Sequence, residues 1–86
     1  MIKLSDKVIF REIDGKGVLI DLDSGFYYSM NEVGCLIFNL IQEKRAPDRI
    51  REEIEMRFEV TPVEAEKDLE EFLGALEKEG IVISRG

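Results

Sequence analysis

The stretch from Asp21 to Ile41 constrains the fold most, because a turn, an aromatic strand and a helix start follow one another in it without a break. Asp23-Ser24-Gly25 favours a short hairpin loop, since aspartate and serine side chains bond to nearby backbone and glycine accepts a positive φ. The residues Phe26 to Met30 then predict a strand, because aromatic side chains favour a half-buried pleated surface.

Asn31 marks the start of the first predicted helix, since its side-chain oxygen can accept a backbone amide hydrogen of the first turn. The apolar residues after it recur at helical spacing, and they are Val33, Leu36, Ile37, Leu40 and Ile41. This pattern predicts an amphipathic helix that buries one face and ends near Gln42.

Two strands are predicted before this stretch. Residues 8–13 read Val-Ile-Phe-Arg-Glu-Ile, and residues 17–22 read Gly-Val-Leu-Ile-Asp-Leu. Asp14-Gly15-Lys16 separates them, and an Asp-Gly pair between two apolar runs is a strong hairpin signal. With the aromatic strand they form a three-stranded antiparallel meander, whose last strand we expect to be an open edge.

Pro47 opens the second predicted helix, because the missing amide hydrogen of proline is harmless at the first helical position. A charged connection, residues 43–46, precedes it. Ile50, Ile54 and Phe58 give this helix a buried stripe.

Thr61-Pro62-Val63-Glu64 is a capping box that opens the third predicted helix. Its apolar face contains Ala65, Leu69, Phe72, Leu73 and Leu76. Gly80 ends the helix as a glycine just beyond the last turn. After it, Ile81 to Ile83 either pack beside the sheet or form a short strand.

The predicted order β-β-β-α-α-α indicates an α+β fold, in which a three-stranded meander is followed by three helices. The 86 residues suffice for one domain, spanning 1–86, with a single modest core. The same order also fits a variant of the winged helix-turn-helix.

Charge and composition exclude several classes of function. The formal charge is −7, from 19 acidic and 12 basic residues, which disfavours binding to nucleic acid or to an anionic membrane surface. One cysteine forms no internal disulfide, and neither a signal-peptide pattern nor a run of membrane-spanning length is found. We therefore expect a cytoplasmic protein, either a monomer or a weak homodimer.

The chain contains no histidine, which removes most catalytic triads and imidazole metal sites. We expect no enzymatic activity, no metal and no cofactor. Cys35 has no basic neighbour in sequence, so a structural, unreactive role is favoured over a nucleophilic one. Gly34 is interpreted as a point of close approach between elements rather than as a ligand site.

Tyr27 and Tyr28 have two interpretations: they form a peptide-binding edge, or they pack on the sheet with solvated hydroxyls. Because strand neighbours alternate, Phe26, Tyr28 and Met30 share one face of the sheet, and Tyr27 shares the other with Ser29. Backbone pairing with a peptide does not depend on which of the two faces is buried.

The third helix carries seven carboxylates between Pro62 and Gly80, which we interpret as a solvated polar face rather than a metal cluster. Leu73, flanked by Glu66, Glu70 and Glu77, remains of interest as a groove wall that is apolar below and negative above. Such a wall would suit a peptide with a hydrophobic anchor and a lysine or arginine.

The stretch Asp21-Leu-Asp-Ser-Gly-Phe-Tyr-Tyr-Ser-Met-Asn31, the apolar helix after it, and Asp68-Leu-Glu-Glu-Phe-Leu-Gly-Ala-Leu76 before Gly80-Ile-Val resemble the PqqD-like family. The resemblance extends over nearly the whole chain, from Val8 to Val82. It implies a small peptide chaperone that recognises ribosomally made precursor peptides. Such a domain binds the leader segment of the precursor and presents it to a radical S-adenosylmethionine enzyme.

In that family the leader adds as a strand to the third strand and lies in the groove between this strand and the third helix. Carried over, these elements are residues 26–30 and the helix from Pro62 to Glu79. The peptide-binding residues that the resemblance implies are Phe26, Tyr27, Tyr28, Ser29, Met30, Leu69, Phe72, Leu73 and Leu76. Members dedicated to pyrroloquinoline quinone carry a Pro-Glu-Gly-like stretch where this chain has residues 22–28, so we expect a different modified peptide here.

Two alternatives remain beside the peptide-binding module. The first is a winged-helix regulator that binds DNA, and the second is a small adaptor whose partner is a folded protein. The third helix discriminates against the first alternative, because Pro62 to Gly80 carries a net charge of −5 where a recognition helix would meet phosphates.

We predict that the protein binds no DNA with sequence specificity. Fluorescence titration over genomic fragments, at low and at physiological salt, is the measurement. Sub-micromolar, sequence-selective binding would overturn the peptide-module interpretation.

Overall fold

Two antiparallel sheets and three helices form residues 1–85, the part of the chain that this computed structural model describes. The elements in chain order are β1 Lys3–Leu4, β2 Val8–Ile13, β3 Lys16–Asp21, β4 Tyr27–Met30, α1 Glu32–Gln42, α2 Pro47–Phe58, α3 Pro62–Lys78 and β5 Val82–Ser84. One sheet has the order β2-β3-β4, and the other pairs β1 with β5. The predicted α+β fold, with a meander before three helices, is confirmed.

The β2–β3 hairpin closes as the sequence predicts. Asp14 and Gly15 both have positive φ, 52° and 77°, which matches the two-residue turn whose twist suits a hairpin. Ile13 pairs with Lys16 directly across the turn, so β3 begins one residue earlier than expected.

The meander buries one of its faces under the helices. Phe10, Leu19 and Tyr28 lie opposite one another across the three strands and point toward the core. Leu19 is fully buried, and the Phe10 ring lies 5.0 Å from the Phe38 ring of α1. The predicted alternation is therefore confirmed, with Tyr28 on the buried side and Tyr27 on the exposed side.

Side-chain caps begin two of the helices. The Asn31 side chain accepts a hydrogen bond from the Gly34 amide at 3.0 Å, and the Thr61 hydroxyl accepts one from the Glu64 amide at 3.2 Å. In the described part of the chain the return bond of the capping box, from the Glu64 side chain to the cap, is not formed. Among residues 1–85, no helix is long and apolar enough to cross a bilayer.

The sequence predicts one of the two strands of the β1–β5 sheet, as one of two alternatives. Of the two alternatives for Ile81 to Ile83, the strand is correct, but its partner is the N-terminal segment. Ile2 and Ile81 are buried beside this pair, and the Ser5 amide donates to the Ile81 carbonyl at 2.8 Å. A two-residue strand shows no periodicity, so the sequence pattern could not reveal β1.

Helix α1 rests on β3 at Gly17. A Cβ atom there would lie 2.8 Å from Cys35 Sγ, 3.0 Å from a Phe10 ring carbon and 3.1 Å from the Arg11 carbonyl oxygen. These contacts leave no room for a side chain. Cys35 is 1% exposed and fills the space opposite the glycine.

We predict that Gly17→Ala lowers the free energy of unfolding by roughly 1–3 kcal/mol, because the Arg11 backbone oxygen cannot move away cheaply. Urea unfolding measures the change. Gly74→Ala is the matched control: it lies in α3 with open space around it, and should be neutral or stabilising by up to about 1 kcal/mol.

Combining Gly17→Ala with Cys35→Ala should cost less than the sum of the two single changes, because removing Sγ relieves the closest contact. Cys35→Ala alone should cost about 1 kcal/mol. If Gly17→Ala were as stable as Gly74→Ala, the close approach of α1 to β3 would be wrong.

Candidate functional site

The free edge of β4 offers unpaired backbone groups. β4 is the last strand of its sheet, and the Phe26 carbonyl just before it accepts the Asp21 amide at 2.9 Å. Bonded and non-bonded pairs alternate along an antiparallel ladder, so Tyr28 bonds toward β3, whereas Tyr27 and Ser29 direct their amide and carbonyl groups outward. The edge can therefore pair with one further strand.

Helix α3 lies beside this edge and forms the second wall of a groove. The ring of Tyr28 meets the ring of Phe72 edge to face, with centroids 6.2 Å apart. Gly34 makes this approach possible, because a Cβ there would lie 3.1 Å from Met30 Cβ and 3.2 Å from the Phe72 ring. The role of close approach that the sequence predicts for Gly34 is confirmed.

The groove opens into a depression of about 220 Å³. Its lining residues are Tyr28, Asn31, Val33, Gly34, Ile37, Asp68, Glu71 and Phe72. Tyr28, Val33, Ile37 and Phe72 contribute apolar side chains to this lining, and α3 contributes two carboxylates. This arrangement suits an apolar side chain whose neighbour carries a positive charge.

The structure separates the strand residues that the resemblance implied. Phe26 and Tyr28 are half-buried and adjacent, with ring centroids 6.4 Å apart. Met30 is buried beneath the groove. Tyr27 is 68% exposed and Ser29 is also exposed, both on the far face of the sheet.

Three of the α3 residues that are expected to line the groove lie in the core. Leu69, Leu73 and Leu76 are at most 1% exposed and belong to the core, so an incoming side chain cannot reach them in this structure. Phe72 is the apolar residue of α3 that lines the depression. Of the α3 residues that the resemblance implies, Phe72 is therefore the one that borders the depression, and the peptide-binding role of Leu69, Phe72, Leu73 and Leu76 stays a prediction.

The acidic residues at the groove also differ from the carboxylates that flank Leu73 in the sequence. Glu70 and Glu77 both bind Arg85, with shortest distances of 2.8 Å, and this lowers the pKa of Glu77 mainly through the hydrogen bond. Those two carboxylates fasten the segment after β5 to α3. Asp68 and Glu71 are the acidic residues at the groove.

A helical wheel contains a signal for this placement. Asp68, Glu71 and Phe72 share one side of α3, at the margin of its apolar arc. The signal is the acidic side of the arc, because Leu73 lies at the opposite margin and is buried.

Outside the groove, the described residues offer few groups suited to catalysis or metal binding. Burial raises the pKa of the Cys35 thiol, and the charges of Glu12 and Glu32 add to that rise, so the thiol is a poor nucleophile at neutral pH. Within residues 1–85 no three potential metal-ligating side chains come together. A larger depression of about 480 Å³ lies between α1, α2 and the hairpin tip, and its lining carries both acidic and basic side chains.

Comparison with known proteins gives one family and two similar structures. A family model described as coenzyme PQQ synthesis protein D (PqqD) matches residues 16–82. The structure of TbiB1 in complex with the TbiA(beta) leader peptide is 34% identical, has a TM-score of 0.86, and the match covers 93% of each chain. Lasso peptide synthetase B1 complexed with the leader peptide is 23% identical, with a TM-score of 0.84 and coverage of 94% of this chain and 95% of that one, which supports the fold alone. No curated protein matches.

Proposed function

Because this chain belongs to the PqqD family, we propose that it is a non-catalytic recognition domain that binds the leader segment of a ribosomally made precursor peptide. The observation that carries the proposal is the free edge of β4 beside the groove between Tyr28 and Phe72. TbiB1, which is 34% identical, is described in complex with a leader peptide.

Binding by strand addition follows from the outward groups of β4. Tyr27 and Ser29 each offer one donor and one acceptor to an extended peptide, which would become the fourth strand of the sheet. These bonds fix the direction and register of the peptide. They do not discriminate among sequences, because every residue other than proline carries the same backbone groups.

Sequence selection falls to the groove. Alternate side chains of the added strand point toward the helices, where Phe72, Tyr28 and Val33 can receive one apolar anchor. Asp68 and Glu71 stand beside that anchor and favour a lysine or arginine next to it.

The bound precursor would be presented to a separate modifying enzyme, since Cys35, the one thiol of the chain, is buried and has a raised pKa. A radical S-adenosylmethionine enzyme is the partner that the resemblance implies, and it is part of the proposal. A cytoplasmic location is proposed with it, because the precursor is made by ribosomes.

Tyr27→Pro and Ser29→Pro should each weaken leader binding by on the order of tenfold, because each removes one outward donor and obstructs the incoming strand. Titration calorimetry with synthetic leader segments from precursors encoded near the gene gives the affinities. Glu12→Pro is the matched control, since Glu12 has an outward amide on the opposite edge of the sheet. Chemical-shift changes on α2 or β2, with β4 unaffected and both β4 variants binding normally, would contradict strand addition at this edge.

Neutralising the rim with Asp68→Asn and Glu71→Gln should weaken binding of a leader with a basic residue beside its apolar anchor by about threefold to tenfold at low salt. The difference should shrink at high salt, because exposed charges are screened. Glu52→Gln with Glu59→Gln makes the same charge change away from the groove. An equal effect of both pairs would show that only the net charge matters.

A further inference from the structure

The face of the meander that points away from the helices is apolar and basic. The Leu22 amide donates to the Lys7 carbonyl at 2.8 Å, which extends the β2–β3 register by one pair. Alternation along the three strands then assigns ten side chains to this outer face. They are Lys7, Ile9, Arg11, Ile13, Lys16, Val18, Ile20, Leu22, Tyr27 and Ser29.

Within residues 1–85 the core lies on the opposite face of the meander, and the central apolar side chains of the outer face are half-buried. The core and the side chains packed against it include Phe10 and Leu19 but not their strand neighbours Ile9, Val18 and Ile20. Three of its side chains rank among the most exposed large apolar groups of the described chain: Ile13 at 76%, Tyr27 at 68% and Leu22 at 59%. A shallow depression of about 230 Å³ lies between Ile13, Val18 and the two cations Arg11 and Lys16. An apolar surface of this kind, with polar groups around it, marks a contact site.

The charge on the outer face is opposite to that of the chain. Its three charged residues are Lys7, Arg11 and Lys16, and the register places no carboxylate among them, although the chain carries −7 overall. In the described part of the chain none of the three lies within ion-pair distance of an acidic group. A complementary surface is therefore acidic around an apolar centre.

This combination selects among possible occupants. A second copy bound face to face would bring the cations together, which is unfavourable. Duplex DNA would satisfy the cations but would leave Ile9, Val18 and Ile20 against a polar backbone. A folded protein with an apolar patch and a carboxylate rim satisfies both properties.

The position of the outer face connects it to the leader. A strand added to β4 would extend the sheet, and alternate side chains of that strand would lie on the outer face beside Tyr27 and Ser29. A protein docked there would touch the leader and this chain together.

We propose, on the basis of the proposed function, that the outer face docks the modifying enzyme through an apolar patch rimmed by carboxylates on the enzyme. The docking surface is completed by the leader strand. The leader and the enzyme then raise each other's affinity for this chain by the same factor, since binding free energies are reciprocal.

The probe is a purified radical S-adenosylmethionine enzyme encoded in the same genome, titrated with and without the synthetic leader. Arg11→Glu with Lys16→Glu should weaken enzyme binding by on the order of tenfold and leave leader affinity within about twofold. Arg49→Glu with Arg57→Glu, on exposed positions of α2, is the matched control and should change enzyme affinity by less than about threefold. Saturating leader should tighten enzyme binding by about fivefold or more.

Each contrary result has a distinct meaning. The docking surface is overturned if the enzyme does not bind, or if both charge-reversed pairs weaken its binding equally. Leader binding is measured separately and decides the proposed function. Lack of coupling to the leader overturns the completed surface. Binding of duplex DNA or of phosphatidylglycerol vesicles that Arg11→Glu with Lys16→Glu abolishes, with enzyme binding unchanged, assigns the outer face to phosphates and overturns the proposal. Concentration-dependent dimerisation in sedimentation experiments, lost in the same variant, would assign the outer face to a second copy of this chain. That result would also overturn the proposal.

Discussion

The junction at Asn31 is the constraint on which the rest of the structure depends. β4 ends at Met30 and α1 begins at Glu32, so one residue separates an edge strand from a helix. The Asn31 side chain bonds the Gly34 amide and fixes the direction in which the helix leaves the sheet. Because Gly34 has no side chain, Phe72 of α3 can approach Met30 and complete the groove. A strand edge and a helix face therefore lie side by side as a result of local geometry.

The same alternation that builds the core creates two surfaces of different character. Side chains that face the helices, such as Leu19 and Phe10, are buried, and their neighbours in sequence are left on the opposite side. A single three-stranded sheet with helices on one side cannot cover both faces. This chain keeps the uncovered face apolar and places cations on it, instead of making it uniformly polar as an antiparallel sheet usually does.

The sequence predicts the elements well, because their signals are local. Asp14-Gly15, Asn31 and Thr61 each act within a few residues, and each begins or ends an element at the expected place. The site is predicted less well, since it depends on which side of α3 the sheet approaches. Leu73 and Phe72 are both apolar and both belong to the core, and only packing shows that Phe72 also lines the groove whereas Leu73 does not. The β1 strand could not be predicted, because its two residues form a strand only through their pairing with β5, which is distant in sequence.

Magnitudes decide how the edge and the groove divide the work of binding. The two outward residues of β4 offer four backbone hydrogen bonds at most. At roughly 0.5–1.5 kcal/mol each, they supply about 2–6 kcal/mol before the entropy of ordering a flexible peptide is subtracted. Micromolar affinity requires roughly 8 kcal/mol. The edge alone is therefore insufficient, and burial of an anchor against Tyr28 and Phe72 has to provide the remainder. Because that remainder comes from side chains, a strand this short binds tightly only when the peptide also has the right sequence.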